Sequence, residues 1–259
     1  MTTKKAAMQT KEITYFRFPP VDRKVFDRNY LDTVAIELRY PTYLRLKEKE
    51  PLEISEAIRE RFPLYDASRQ MEMTPLGATT PEPVYKFSTK QKDPILDISA
   101  SNIVLVTKKY KSFEDFSAHV KFFLERCMSY LDTTFFTRVG LRYINHISGI
   151  HETGNDILEW INNDLVKPVA GGEIGSVHSV KSELAGPLRE GGRYTFRYGL
   201  SPSSQKTRQF VLDWDYYKED VEVKDCMDLL KTFHKAHFPF FWWALGGKAR
   251  EALKNGTIR

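Results

Sequence analysis

A long strand near the middle of the chain constrains the fold more than any other feature of the sequence. Residues 137–147 alternate apolar and polar side chains, as a half-buried strand does. They follow an amphipathic helix that opens with Ser112-x-x-Asp115, a spacing like that of a capping box. A similar succession of strands and a helix follows the strand. The pattern therefore predicts a duplicated α+β architecture.

The elements predicted before and after this point share one order. Apolar periodicity and proline or glycine boundaries predict β-α-β-β-β-β-α and then β-α-β-β-β-α. This is the order of TATA-binding-protein-like and helix-grip folds, in which a curved antiparallel sheet packs on a closing helix. Two such units can join through one extended antiparallel sheet with helices on one face. We predict an N-terminal arm (1–32), a first half (33–132), a second half (133–245) and a C-terminal tail (246–259).

The composition fits a folded protein with a full core. Of the 259 residues, 41% are hydrophobic and 13% are aromatic, and aromatic residues favour sheets. The net charge of +5 permits acidic partners, including nucleic acid, without requiring them. Cys127 and Cys226 fall on apolar sides of predicted helices, where buried thiols in a reducing cytosol are expected. We find neither a signal-peptide-like start nor an apolar run of about 18 residues, so we expect a cytoplasmic protein without membrane association.

Three predicted strands of the second half carry charged residues on one face. If their apolar residues face the helices, the opposite face forms a polar surface. Arginine there could bind phosphate or carboxylate with paired donors. The other interpretation is a solvated face on which cross-strand Arg–Asp pairs each contribute well under about 1 kcal/mol. The candidate ligand-binding residues are Arg138, Arg142, His146, Arg193, Arg197, Asp213 and Asp215.

The two aspartates of this face are one residue apart, so both side chains point the same way from a strand. Asp213 and Asp215 could hold a divalent cation, or they could offset Arg138 and Arg142. No His or Glu at ligand spacing supports them, so no metal site is predicted. The motifs of phosphate-binding loops, serine hydrolases, zinc proteases and redox Cys pairs are missing from the sequence. We therefore predict no catalytic residue and no cofactor.

The end of the last major helix combines two histidines with an aromatic run. His234 and His237 have a spacing that metal pairs use, but it also fits capping or packing near a helix end, which Pro239 places there. The aromatic run seals a core or forms an interface with a partner. Its candidate interface residues are Phe238, Phe240, Phe241, Trp242 and Trp243.

Residues 137–145, with the sequence TRVGLRYIN, resemble the signature strand of an uncharacterised prokaryotic protein family with a sporadic distribution. The resemblance spans about 33–243. It includes an early strand–helix unit (33–62), a Tyr-x-Phe-Ser segment (85–88), a Leu-Asp-x-Asp strand (212–215) and a closing helix with His234, His237 and Phe238. The family brings no established reaction. Its sporadic occurrence implies an accessory component carried by mobile elements or phage-defence neighbourhoods.

These observations lead to a binding function rather than a specific reaction. We predict a non-enzymatic binding or adaptor module that presents the polar sheet face to a protein partner. The alternative is a nucleic-acid-binding or processing protein, whose arginines contact phosphates and whose aspartate pair holds a cation. A third interpretation is an obligate homo-oligomer with the aromatic run at its interface.

Overall fold

The computed structural model describes residues 15–19, 21, 26, 28–69, 73–74, 77–78, 83–151, 156–170, 175, 177, 179–201 and 207–258. The strands are β1 (Leu31–Arg39), β2 (Leu64–Arg69), β3 (Met73–Thr74), β4 (Gly77–Ala78), β5 (Pro83–Ser88), β6 (Ile95–Ile98), β7 (Asn102–Thr107), β8 (Phe135–His151), β9 (Val180–Pro187), β10 (Arg193–Ser201) and β11 (Thr207–Glu222). The helices are α1 (Arg45–Glu48), α2 (Leu52–Ile58), α3 (Phe113–Leu131), α4 (Ile157–Trp160), α5 (Asn163–Ala170), α6 (Cys226–Ala244) and α7 (Gly247–Asn255).

One antiparallel sheet of nine strands organises the fold, in the order β2-β5-β6-β7-β1-β8-β11-β10-β9. The strand predicted at 137–147 is β8, which is 17 residues long and lies between β1 and β11. Leu141 of β8, for example, lies opposite Ile36 on one side and Tyr216 on the other. The α+β class and the large antiparallel sheet are therefore confirmed.

The core lies on one face of this sheet. Along β8, Val139, Leu141 and Tyr143 are at most 1% exposed, and the intervening charged residues Arg138 and Arg142 are more exposed. Helix α6 packs on this face: the ring of Phe240 lies 5.6 Å from that of Trp214 in β11. Burial of large apolar and aromatic side chains at about 25 cal/mol per Å² is the main force that fixes this layer. Among the described residues, no helix is long and apolar enough to cross a membrane.

The predicted start of α3 is confirmed. The Oγ of Ser112 accepts a hydrogen bond from the backbone amide of Asp115 at 3.0 Å. Such a cap contributes about 1 kcal/mol to a helix. The sequence also predicts that one stripe of this helix is buried, formed by Phe116, Val120, Phe123, Leu124, Cys127 and Leu131. Five of these six residues are buried, and Leu124 packs against the core at partial exposure.

The C-terminal part of the chain differs from the prediction in two respects. Helix α6 does not end near Pro239 but continues to Ala244. Proline removes one backbone hydrogen bond, and the burial of Phe240 and Phe241 beyond it outweighs that loss. The predicted tail contains helix α7, which buries Ala249 and Leu253.

Two shorter elements also differ. The sequence predicts one helix near 156–165. The structure instead has α4 and α5, because Ile161 between them forms an isolated bridge with Leu245 and leaves the helical path. The sequence also predicts a short strand at 14–18, but residues 15–18 have no regular structure. Residue 14 lies outside the described part of the chain. Phe16 and Phe18 instead pack on α6, with ring centroids 5.3 and 4.8 Å from Phe240.

Candidate functional site

The predicted polar sheet face is a ladder of ion pairs across β1, β8 and β11. Arg138 donates from Nη2 to both carboxylate oxygens of Asp215, at 3.0 and 2.9 Å, and from Nη1 to Glu37. Arg142 donates from Nε and Nη2 to Asp213, at 2.8 and 2.7 Å. Bidentate pairs of this kind are the strong form of a charged hydrogen bond. Of the two alternatives left open for the aspartates, the geometry therefore shows the one in which they offset the arginines.

The other residues predicted for this face have fewer contacts with the ladder of ion pairs. Arg197 donates to Glu183 at 2.7 Å and lies 4.0 Å from Asp213. His146 lies 3.8 Å from Asp32. Arg193 is exposed at the start of β10 and forms no ion pair within the described part of the chain.

The ladder limits what this face can bind. The guanidinium donors of Arg138 already serve carboxylates, and its side chain is only 15% exposed. A hydrogen bond with Asp213 raises the pKa of Arg142. A phosphate would have to displace these carboxylates and leave them unpaired. Within the described residues, no group of three or more His, Cys, Asp or Glu side chains could hold a metal ion. A ligand-binding role for the face stays a prediction.

Some of the aromatic residues predicted to form an interface belong to the core, and others are covered by residues of the same chain. Phe240 and Phe241 are buried. Trp243 lies 5.3 Å from Phe18 between ring centroids, and Trp242 stacks on Phe26 at 6.3 Å and 3°. Phe238 is half-buried and stacks on Trp242 at 6.0 Å. A role for these residues in binding a partner stays a prediction.

A pocket of about 380 Å³ opens where α6 crosses β8, beside the start of α3. This volume lies within the range of about 300–1,000 Å³ that is typical of small-molecule sites. Its floor belongs to the helix-packed side of the sheet, and its rim is polar and exposed. The lining residues are Phe26, Asn29, Leu31, Tyr110, Lys111, Ser112, Glu114, Tyr143, Asn145, His234, His237, Phe238, Phe241 and Leu253.

A tyrosine and two histidines form one wall of the pocket. The hydroxyl of Tyr143 and Nδ1 of His234 lie 2.7 Å apart and share a hydrogen bond. The ring of His237 stacks on Tyr143 at 4.0 Å and 5°, and its Nδ1 lies 3.4 Å from the hydroxyl of Tyr216. His234 also stacks on Phe113 at 4.3 Å and 7°. These contacts fix the orientation of both imidazoles, as a preorganised site requires.

Burial keeps Tyr216, the partner of His237, in its neutral form. The loss of solvent raises the pKa of its hydroxyl well above the usual value for tyrosine. Tyr216 therefore stays a hydroxyl even at alkaline pH, where an exposed tyrosine ionises.

Asn145 at the floor of the pocket is the most unusual residue of the site. It is 1% exposed, and its Nδ2 has no hydrogen-bond acceptor among the described residues. A buried donor without an acceptor costs about 1–3 kcal/mol. The pairing of β1 with β8 also shifts register between Leu31 and Thr33, beside Asn145. Such bulges are common next to functional sites.

Sequence reasoning assigned the two histidines to capping or packing and did not select Tyr143 or Asn145. One signal was present: Asn145 is the polar exception among the residues of β8 that share the buried face. A buried asparagine in a row of apolar residues costs stability unless it has partners. The position therefore indicates a polar partner from outside the strand.

Comparison with known proteins found no family model that matches the chain and no matching curated protein. The geometry of the pocket is therefore the basis on which a function can be assigned.

Proposed function

We propose that this protein is a non-enzymatic binding module and that its ligand occupies the pocket between α6 and β8. One observation carries the proposal: Asn145 lines the pocket, and its buried Nδ2 lacks an acceptor among the described residues. A ligand that supplies an acceptor removes the desolvation cost of this amide, which gives binding both affinity and orientation.

The walls support the same proposal. Tyr143, His234 and His237 hold one another in place through a hydrogen bond and a ring stack. A preformed wall loses little conformational freedom when a ligand arrives, and this lowers the free-energy cost of binding. The aromatic rings of Tyr110, Tyr143 and Phe238 offer flat apolar surface next to the polar floor.

Native mass spectrometry of the protein purified from its host tests this function. We expect the wild type to carry a small molecule that the Asn145→Leu variant has lost. Thr195→Val is the matched control, because Thr195 is also a buried polar residue but does not line the pocket. The control should retain the molecule, and the mass of that molecule should not change on incubation. A molecule that Asn145→Leu retains, or one that the protein converts to another mass, would contradict the proposal.

A role within a cell also remains a proposal. The resemblance of β8 and its surroundings to the sporadic prokaryotic family supports an accessory component of a defence or mobile-element system. In that role the module would work in the cytoplasm with a protein partner. The ligand in the pocket would then set whether the partner binds.

We also propose that the two halves of the sheet descend from one duplicated unit of the TATA-binding-protein-like type. In the first half, the meander β2-β5-β6-β7 ends beside β1 and is followed by α3. In the second half, the meander β9-β10-β11 ends beside β8 and is followed by α6. The shared order supports the proposal, with β1 and β8 as equivalent strands at the centre.

A further inference from the structure

We propose that the edge strand β9 is a dimerisation surface, at which two copies of this chain pair antiparallel about Ser182. The two nine-stranded sheets then continue into one another across the interface. The pocket between α6 and β8 is lined by other residues, so dimerisation does not depend on its ligand. Three features of β9 carry the inference: an open and regular edge, an exposed apolar side chain, and two charges with a self-complementary spacing.

The open edge is the first feature. β9 lies at one end of the sheet, and within the described part of the chain it pairs with β10 alone. Its register with β10 runs through all eight residues of Val180–Pro187 without a shift. A regular edge strand presents a row of unpaired backbone N–H and C=O groups, which is a template for pairing with another strand. Addition of β9 from a second copy satisfies these groups.

An exposed leucine is the second feature. Leu184 lies opposite Phe196 of β10, on the face of the sheet that packs on α6. Phe196 is completely buried, whereas Leu184 is 43% exposed. Leu184 thus extends an apolar row as far as the sheet edge and remains in contact with water there. An apolar side chain of a second copy would remove this surface from water, which favours association.

Two charges on the other face of β9 are the third feature. Lys181 and Glu183 are both exposed, and they are two positions apart, so their side chains point to the same face. Glu183 accepts a hydrogen bond from Arg197 of its own chain at 2.7 Å. Its carboxylate has two oxygens, so it can accept from a second cation as well.

Symmetry limits the registers in which two copies of β9 can pair. In one continuous sheet a two-fold axis perpendicular to the sheet relates the copies, and residues that lie opposite each other point to the same face. The pairing is therefore centred on a residue that lies opposite itself. Centring on Lys181 or on Glu183 puts like charges directly opposite, which is unfavourable. Centring on Leu184 leaves both charges opposite uncharged residues.

The pairing centred on Ser182 matches both faces of the strand. Lys181 lies opposite Glu183 of the second copy, and symmetry forms this pair twice. On the helix-packed face, Leu184 lies opposite Val180 of the second copy, so the exposed leucine gains an apolar neighbour. Opposite charges and apolar side chains directly opposite each other both stabilise an antiparallel pair.

Sedimentation equilibrium of the full chain at about 1–200 µM tests the inference, because an interface of this small size belongs to the weak class. We expect the wild type to dimerise within this range. Lys181→Glu and Glu183→Lys should each weaken the dimer at least about tenfold, since two attractive pairs become two repulsive ones. An equimolar mixture of the two variants should recover the dimer, because each copy then meets the opposite charges on the other.

Lys235→Glu and Glu251→Lys are the matched controls, because they make the same charge changes at exposed positions of α6 and α7. Both should dimerise like the wild type. A wild type that stays monomeric throughout the range overturns the inference, and so does a dimer that neither β9 variant weakens. Loss of the dimer in both variants without recovery in their mixture overturns the pairing centred on Ser182.

Discussion

Replacing Asn145 by leucine should make the ligand-free protein more stable while it abolishes ligand binding. Leucine is close to asparagine in size and shape, and the residue is 1% exposed, so the change creates no large cavity. It removes a buried donor without an acceptor, which costs about 1–3 kcal/mol in the wild type. For a protein of this size, each kcal/mol corresponds to about 2–4 °C in Tm. We therefore expect Asn145→Leu to melt several degrees above the wild type.

Urea denaturation and thermal melting of protein freed of small molecules measure this effect. Thr107→Val is the matched control: Thr107 is also buried, but its Oγ1 donates to Asp93 at 2.7 Å and accepts from the amide of Lys109 at 3.0 Å. Loss of these satisfied bonds should destabilise the protein by about 1 kcal/mol or more. A decrease in stability for Asn145→Leu as large as that of the control would mean that Asn145 is a structural residue and would refute the argument.

Three further predictions concern the ion-pair ladder, the thiols and a half-buried carboxyl group. Arg138→Met should lower the free energy of unfolding by about 1.5–3 kcal/mol in urea denaturation, because it leaves Asp215, at 19% exposure, without its guanidinium partner and Glu37 with only Arg39. Arg197→Met, at 45% exposure, should change it by less than about 1 kcal/mol. Burial raises the pKa of Cys127 and Cys226 to about 12, so iodoacetamide at about pH 8 should label them only after denaturation, and rapid labelling of the native protein would contradict their burial. Burial raises the pKa of the Asp97 carboxyl group. Because the folded state then holds the carboxyl proton more tightly than the unfolded state does, the protein loses stability as the pH rises through the folded pKa. The free energy of unfolding of Asp97→Asn, taken relative to that of the wild type, should therefore increase from about pH 3 to about pH 7. If this difference in free energy were the same at both pH values, it would count against a raised pKa of Asp97.

The sequence predicts the fold well where one local signal is strong. The alternation in β8 and the cap at Ser112 act within a few residues, so they are visible without tertiary information. The continuation of α6 through Pro239 is not predictable in this way, because it depends on contacts of Phe240 and Phe241 with distant strands. Tertiary packing overrides a local helix-breaking signal at that position.

The candidate site is harder to predict for the same reason. Tyr143 and His234 are 91 positions apart and meet only when α6 crosses the sheet. The polar face was visible as alternating charges, but the sequence could not show that Arg138 and Arg142 already have carboxylate partners. Side-chain pairing across strands depends on register, which long connections leave open.

The most direct test of the central claim is a crystal structure of the protein purified from its host. We predict electron density for a small molecule in the pocket between α6 and β8, with an acceptor atom within hydrogen-bond distance of Nδ2 of Asn145. Density of a ligand on the ion-pair ladder instead, or a pocket closed by side chains of the protein itself, would contradict the account.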